Sequence, residues 1–112
     1  MTDCLFCKIG AKRSAAEIEY EDDEVIAFKD IYPKAPVHIL VIPKRHIESV
    51  MALSEDDALV VGRLVLAAKR LGELKGFAGR GYRLQFHCGP EGGQVVYHVH
   101  VHFLAGGRAR GA

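Results

Sequence analysis

Between Val95 and Leu104 the chain reads Val-Val-Tyr-His-Val-His-Val-His-Phe-Leu, and no other stretch constrains the fold as strongly. Period-two patterning marks a strand, in which side chains alternate faces. His98, His100 and His102 are therefore predicted to share one face, with Val99 and Val101 on the other. Imidazoles two residues apart on such a strand stand roughly 6.5–7 Å from one another. A row of this kind is costly to bury without partners. It fits a solvent-facing edge strand, a metal site or a catalytic row. The catalytic row has chemistry in its favour, because the ordinary pKa of imidazole suits nucleophilic and acid–base duty near neutrality. Directly upstream, Gly92-Gly93-Gln94 reads either as a plain hairpin turn or as a backbone N–H cradle for an anion.

The rest of the chain supplies a sheet and one helix. Glu17–Tyr20 and Val25–Phe28 are short β-like runs split by Glu21-Asp22-Asp23, which predicts a hairpin. Asp30–Pro36 contains two prolines and reads as an extended loop. Val37–Ile42 is β-branched and apolar apart from His38, which is either a satisfied core histidine or a neighbour of the row. Ser54 is a helix N-cap with Asp57 three residues on, and Leu53 is placed to staple onto Ala58. Leu59, Val60, Leu64, Ala67, Ala68, Leu71 and Leu74 then recur at helical spacing up to the stop signal Gly76. Tyr82–Phe86 and Val95–Leu104 are strands around the glycine-rich turn Gly89–Gly93. The sum is an α+β domain, an antiparallel sheet with a helix packed on one face. At 112 residues it is one domain, with Gly106–Ala112 as a fraying tail.

Composition narrows the function. With 49% hydrophobic and 26% charged residues the chain is globular rather than disordered. A net charge of +1 gives no field for a nucleic-acid backbone. The apolar runs are too short to span a bilayer, so no membrane partner is expected. Three cysteines without an export signal imply reduced thiols and a cytoplasmic protein. Cys4-Leu5-Phe6-Cys7 has the gap of a zinc knuckle, but two thiolates do not complete a tetrahedron. A redox dithiol or an inert pair are the other readings. Cys88 is left over, as a small buried thiol.

Two stretches carry a family resemblance. Gly92–Leu104 resembles the histidine triad (HIT) signature. The run from Phe28 to Ile47, containing Asp30-Ile31-Tyr32-Pro33 and Pro43-Lys44-Arg45-His46, is similar to the nucleotide-pocket segment of the same family's Hint branch. The resemblance extends from about Cys4 to Gly107. It implies a HIT-like fold of about five antiparallel strands, one long helix and a short N-terminal helix. It also implies a homodimer that cleaves purine nucleoside 5′-phosphoramidates or related adenylates at the α-phosphate, through a nucleotidyl-histidine intermediate.

By that resemblance His100 is the nucleophile, with its other ring nitrogen donating to a carbonyl near His98. His102 contacts phosphate or leaving group, and His38 stands beside the row. Asp30 receives the ribose hydroxyls, while Phe6, Ile9, Phe28 and Ile31 wall the base; ordinary core packing describes these four equally well. Gln94, Val95 and His87 flank the phosphate of a purine nucleotide such as AMP or GMP. The family uses no catalytic metal. Members with the N-terminal cysteine pair hold a structural zinc, which falls here on Cys4, Cys7, His46 and His98.

Two positions depart from the family's pattern. Val95 stands where Ser or Thr is usual, and His87 where Asn is usual. A missing hydrogen-bond donor at a transition state typically costs about 2.7–4 kcal/mol. A nucleotide-binding regulatory module with little turnover is therefore the alternative to an enzyme. A metallohydrolase using the triad as ligands is a third reading.

Overall fold

In a computed structural model, described over residues 4–107, the hairpin is set by one carboxylate. Asp22 Oδ1 accepts the backbone N–H groups of Glu24 and Val25, each at 2.9 Å. This closes the turn between β1 (Ile18–Glu21) and β2 (Val25–Lys29). Strand β3 (Val37–Pro43) follows the two-proline loop and is buried along nearly its whole length. With β4 (Arg83–Phe86) and β5 (Val101–Ala105) it completes a five-stranded antiparallel sheet of order β1-β2-β3-β5-β4. A short helix, α1 (Leu5–Gly10), precedes the sheet, and the long helix α2 (Ala58–Leu74) lies between β3 and β4.

The two faces of the sheet have different tasks. One carries Val25, Ala27, Ile39, Val41, Val101 and Phe103 and packs on Leu64, Ala67, Ala68 and Leu71 of α2. The other carries Ile26, Phe28, Leu40 and Ile42 and is covered by Phe6 and Ile9 of α1. Both sides of β3 are thus inside, which explains its near-continuous apolar sequence.

Helix α2 begins and ends as predicted, with one change. The backbone N–H of Ser54 donates to Asp57 Oδ2 at 2.9 Å, but Glu55–Asp57 is a 3₁₀ turn and the α-helix starts at Ala58. At the other end Gly76 adopts φ +85°, and the N–H of Phe77 donates to the Gly72 carbonyl at 2.7 Å, closing the helix. Leu53 packs with Ile47, Val60 and Val99. Leu59 and Leu74, counted above in the apolar stripe, are 78% and 54% exposed.

The larger departure concerns the last strand. It was expected over Val95–Leu104, but the ladder begins only at Val101. Residues 95–100 belong to no strand, and the Val99 N–H donates to the Ile47 carbonyl at 2.6 Å. Gly106 and Gly107 form a bend, and the remainder of the expected tail, 108–112, lies outside the described residues.

Gly72 has a packing role that propensity would miss. A Cβ there would come within 2.5 Å of Tyr82 Cε2, and Tyr82 is itself stacked on Phe103 with centroids 4.8 Å apart. Gly72→Ala should therefore lower the melting temperature, the clash costing about 1–3 kcal/mol against roughly 1 kcal/mol of helix propensity gained. A thermal melt followed by circular dichroism checks this; a raised Tm would contradict the packing argument.

Candidate active site

Four imidazoles gather on the α1 side of the sheet. In the β3–β5 register His38 opposes Leu104 and Leu40 opposes His102, so His38 and His102 are diagonal neighbours on one face. His38 Nε2 lies 2.9 Å from His102 Nδ1. The His100 and His102 ring centroids are 4.9 Å apart, and His87, just past β4, lies 4.3 Å from His102. The rings are closer than the strand spacing predicted, because His100 precedes the ladder and is not held to its pleat. Phe6 of α1 meets both His98 and His100 edge-on, at 6.1 and 5.1 Å, so both imidazoles face the α1 side.

Backbone groups decide which nitrogen of each ring carries a proton. His100 Nδ1 lies 2.7 Å from the His98 carbonyl and donates to it, which leaves a lone pair on Nε2. The Lys34 N–H donates to His38 Nδ1 at 3.0 Å, so the neutral ring holds its proton on Nε2. That N–H points between His102 Nδ1 and Asp30 Oδ2, the latter 3.4 Å away. His102 Nδ1 then accepts, and its own proton sits on Nε2. This last N–H is buried and has no partner among the described residues. An orphaned buried donor typically costs about 1–3 kcal/mol, and here it lies in the middle of the imidazole cluster.

Burial also sets the charge. It pushes His38, His98 and His100 below the ordinary histidine range. His102 is lowered to about 4 by burial and then by the neighbouring imidazoles. At neutral pH the row is uncharged and its nitrogens are available as nucleophile and donor.

The remaining predicted residues fall around this row. Asp30 receives the Tyr32 N–H at 2.8 Å and is half-buried. Phe6, Ile9 and Phe28 are buried in one cluster, whereas Ile31 is 79% exposed on the loop. Gln94 is buried and acts as a clasp, accepting from the Gly89 N–H and donating to the carbonyls of Glu48 and Val96. Val95 is 87% exposed. Cys88 is half-buried, and His87 makes no hydrogen bond with any described residue. The carbonyl that takes the His100 Nδ1 proton is that of His98, as the resemblance implied, whereas the Lys34 N–H and the Pro43 carbonyl were not foreseen as site groups. Backbone atoms are common to every residue and leave no trace in sequence.

At the row's upstream end stands a second constellation. Cys4, Cys7, His46 and His98 present ligand atoms all within 4.8 Å of one another. His98 Nδ1 is 3.4 Å from each sulfur and 3.2 Å from His46 Nδ1, which is 3.2 Å from Cys7 Sγ. The edges of a tetrahedron around zinc with thiolate and imidazole ligands are roughly 3.3–3.8 Å. His98 donates Nε2–H to the Pro43 carbonyl at 2.7 Å, which frees Nδ1 to ligate. Burial and the adjacent Cys4 sulfur push the Cys7 thiol up to about 11, a cost that a bound cation offsets. The donor set fits a four-coordinate metal. Asp30, His38 and His102 also lie within ligating distance of one another. There the Lys34 N–H keeps a proton on His38 Nε2, the atom a metal would need, so that set does not fit one.

The fold and the histidine row are shared with known proteins. Residues 3–110 match the family model described as "Scavenger mRNA decapping enzyme C-term binding". The chain is 42% identical over 104 residues to the purine nucleoside phosphoramidase of Escherichia coli, covering 93% of this chain and 87% of that protein. A HIT family hydrolase from Legionella pneumophila superposes with a TM-score of 0.93 at 42% identity, covering 95% of each chain. A histidine triad protein from Clostridium difficile gives 0.96 at 38% identity, covering 100% of this chain and 97% of that one. The chain belongs to the HIT family, with the α+β fold of that family. No helix among the described residues is long and apolar enough to cross a membrane.

The depressed histidines predict a pH dependence of stability. Unfolded imidazoles take up protons near pH 6.5 and folded His102 only near 4. Stability should be full above pH 6.5 and decline as pH falls from 6.5 towards 4. Thermal melts across that interval check it; a Tm that does not move would contradict the buried, neutral row.

Proposed function

We propose that the protein is a nucleotide hydrolase or transferase acting on the α-phosphate of purine nucleoside 5′-phosphoramidates or related adenylates. The observation that carries this reading is the His100 ring, pinned through Nδ1–H to the His98 carbonyl with its Nε2 lone pair free. The similarity to a purine nucleoside phosphoramidase supports it. In the first step the Nε2 lone pair forms an N–P bond while the P–N bond to the leaving amine breaks. The electron pair departs with the amine, which takes a proton from solvent. Water then attacks the nucleotidyl-histidine, releasing the nucleoside monophosphate and a proton and restoring His100.

The orphaned Nε2–H of His102 donates to a phosphoryl oxygen, a fixed dipole aimed at developing charge. Asp30 accepts the ribose hydroxyls. Phe6, Ile9 and Phe28 back the base, and the exposed Ile31 closes on it from the loop. Gln94 holds the phosphate-side turn. The exposed Val95 offers no polar atom beside the phosphate, which favours as a second reading a nucleotide-binding module with slow turnover.

Incubation with adenosine 5′-phosphoramidate should release AMP, and His100→Ala should lower the rate about 10³-fold or more. Tight AMP binding without release would favour the module. Release undiminished in His100→Ala would overturn the nucleophile.

In the same reading Cys4, Cys7, His46 and His98 hold a structural zinc. When bound, the ion would join α1 to His98, the residue whose carbonyl orients His100. The chain pairs as a homodimer through exposed apolar groups, Leu59 and Leu66 of α2 and Leu84 and Phe86 of the edge strand β4. Cys4→Ala should remove stoichiometric zinc in elemental analysis and lower the Tm by about 5–15 °C. A variant with unchanged melting and unchanged metal content would remove the zinc assignment.

A further inference from the structure

His87 stands among the clustered imidazoles, yet the hydrolase reading gives it no step. In the β4–β5 register Gln85 opposes His102, and His87 follows two residues later, just past β4. Its ring lies 4.3 Å from that of His102, tilted by 30°. It is half-buried, whereas His38 and His100 are buried. The protons of the other three rings are committed. His100 Nδ1–H is held by the His98 carbonyl, and His38 lies between the Lys34 N–H and His102 Nδ1. His102 turns its Nε2–H to the phosphoryl group. His87 makes no hydrogen bond with any described residue, so neither of its nitrogens is committed there.

The groups assigned to the nucleotide fall in order across the sheet, whose strands run β1-β2-β3-β5-β4. Phe28 of β2 backs the base, Asp30 directly after β2 takes the ribose, and His102 of β5 takes a phosphoryl oxygen. The nucleoside therefore approaches phosphorus from the β2 side. Beyond β5 comes β4, and the imidazole met there is His87. Facing it are His102, His100 and His38, with the Asp30 carboxylate 3.4 Å behind His38; Cys88 is its half-buried chain neighbour. A charge on His87 opposes protonation of the three facing rings, which burial already keeps neutral. The half-buried ring is thus where a proton can enter and leave the cluster. Val95, exposed and apolar, has no proton to offer.

We propose that His87 is the general acid for the departing amine, placed on the side of phosphorus that the nucleoside leaves open. This rests on the hydrolase reading and adds the proton carrier that the reading leaves to solvent. As His100 Nε2 forms its bond to phosphorus, the P–N bond breaks and its electron pair stays on nitrogen. The His87 imidazolium gives that nitrogen a proton and becomes neutral imidazole. In the second step the neutral ring takes a proton from the attacking water. That restores the imidazolium and frees His100 and the nucleoside monophosphate.

The test compares two substrates that differ in their need for a proton. One is adenosine 5′-(N-propyl)phosphoramidate, whose amine cannot leave as an anion. The other is the para-nitrophenyl ester of AMP, whose phenolate can. His87→Asn keeps a polar side chain but removes the ionisable ring. It should lower kcat/KM for the amide by about 10²-fold or more, and for the ester by no more than about threefold. The ratio kcat/KM covers only the steps up to departure of the first product, so the shared second step does not enter. Retained ester cleavage shows that the variant is folded with its row intact. In the wild type alone, amide cleavage should decline as pH rises and the acid form of His87 is depleted, relative to ester cleavage. Equal losses on both substrates, or none on either, overturn the inference and leave the hydrolase reading standing. A wild-type amide-to-ester ratio that does not change with pH also overturns it. A wild type that cleaves neither substrate overturns both readings.

Discussion

The pairing of β3 with β5 is the constraint on which the site depends. Its register sets His38 opposite Leu104 and Leu40 opposite His102, bringing two imidazoles from distant parts of the chain to 2.9 Å. Slipping the pair by one residue would turn His102 into the helix-packed face and Phe103 out of it, because side chains alternate. The apolar residues on both faces oppose that slip: Val101 and Phe103 belong to the α2 core, and Leu40 to the α1 core. Hydrophobic burial thus fixes the positions of the polar groups.

The polar groups are tuned by what burial withholds. Taken out of water, the imidazoles lose their ordinary basicity and stand neutral, and the backbone assigns each ring a tautomer. One donor, His102 Nε2–H, is left without a partner among the described residues. The cysteine corner and the row are joined at a single residue, His98. The His98 side chain faces the two sulfurs and its carbonyl holds His100, so the placement of α1 and the orientation of the proposed nucleophile are not independent.

The hairpin and the long helix were legible because their signals are local. The turn carboxylate at Asp22, the Ser54–Asp57 cap and Gly76 each act within a few residues. The beginning of β5 was not legible. Residues 95–100 have strand-like composition, but strand structure needs a neighbour, and here the adjacent backbone contact is a single bond to Ile47. The exposure of Leu59 and Leu74 likewise escaped periodicity, since helical spacing identifies apolar residues without saying which have a sheet beneath them.

From the residues alone came the α+β class, the alternation that puts three histidines on one side, and the pairing of Cys4 with Cys7 as possible ligands. These follow from chain chemistry over short separations. Tertiary structure brought His46 and His98 up to the cysteine pair, as the family resemblance implied, set His38 against His102, and supplied the Lys34 N–H that governs the His38 tautomer. The ligand-atom cluster and the His38–His102 approach depend on contacts between segments tens of residues apart. Such contacts exist only once the two faces of the sheet have been covered and its register fixed.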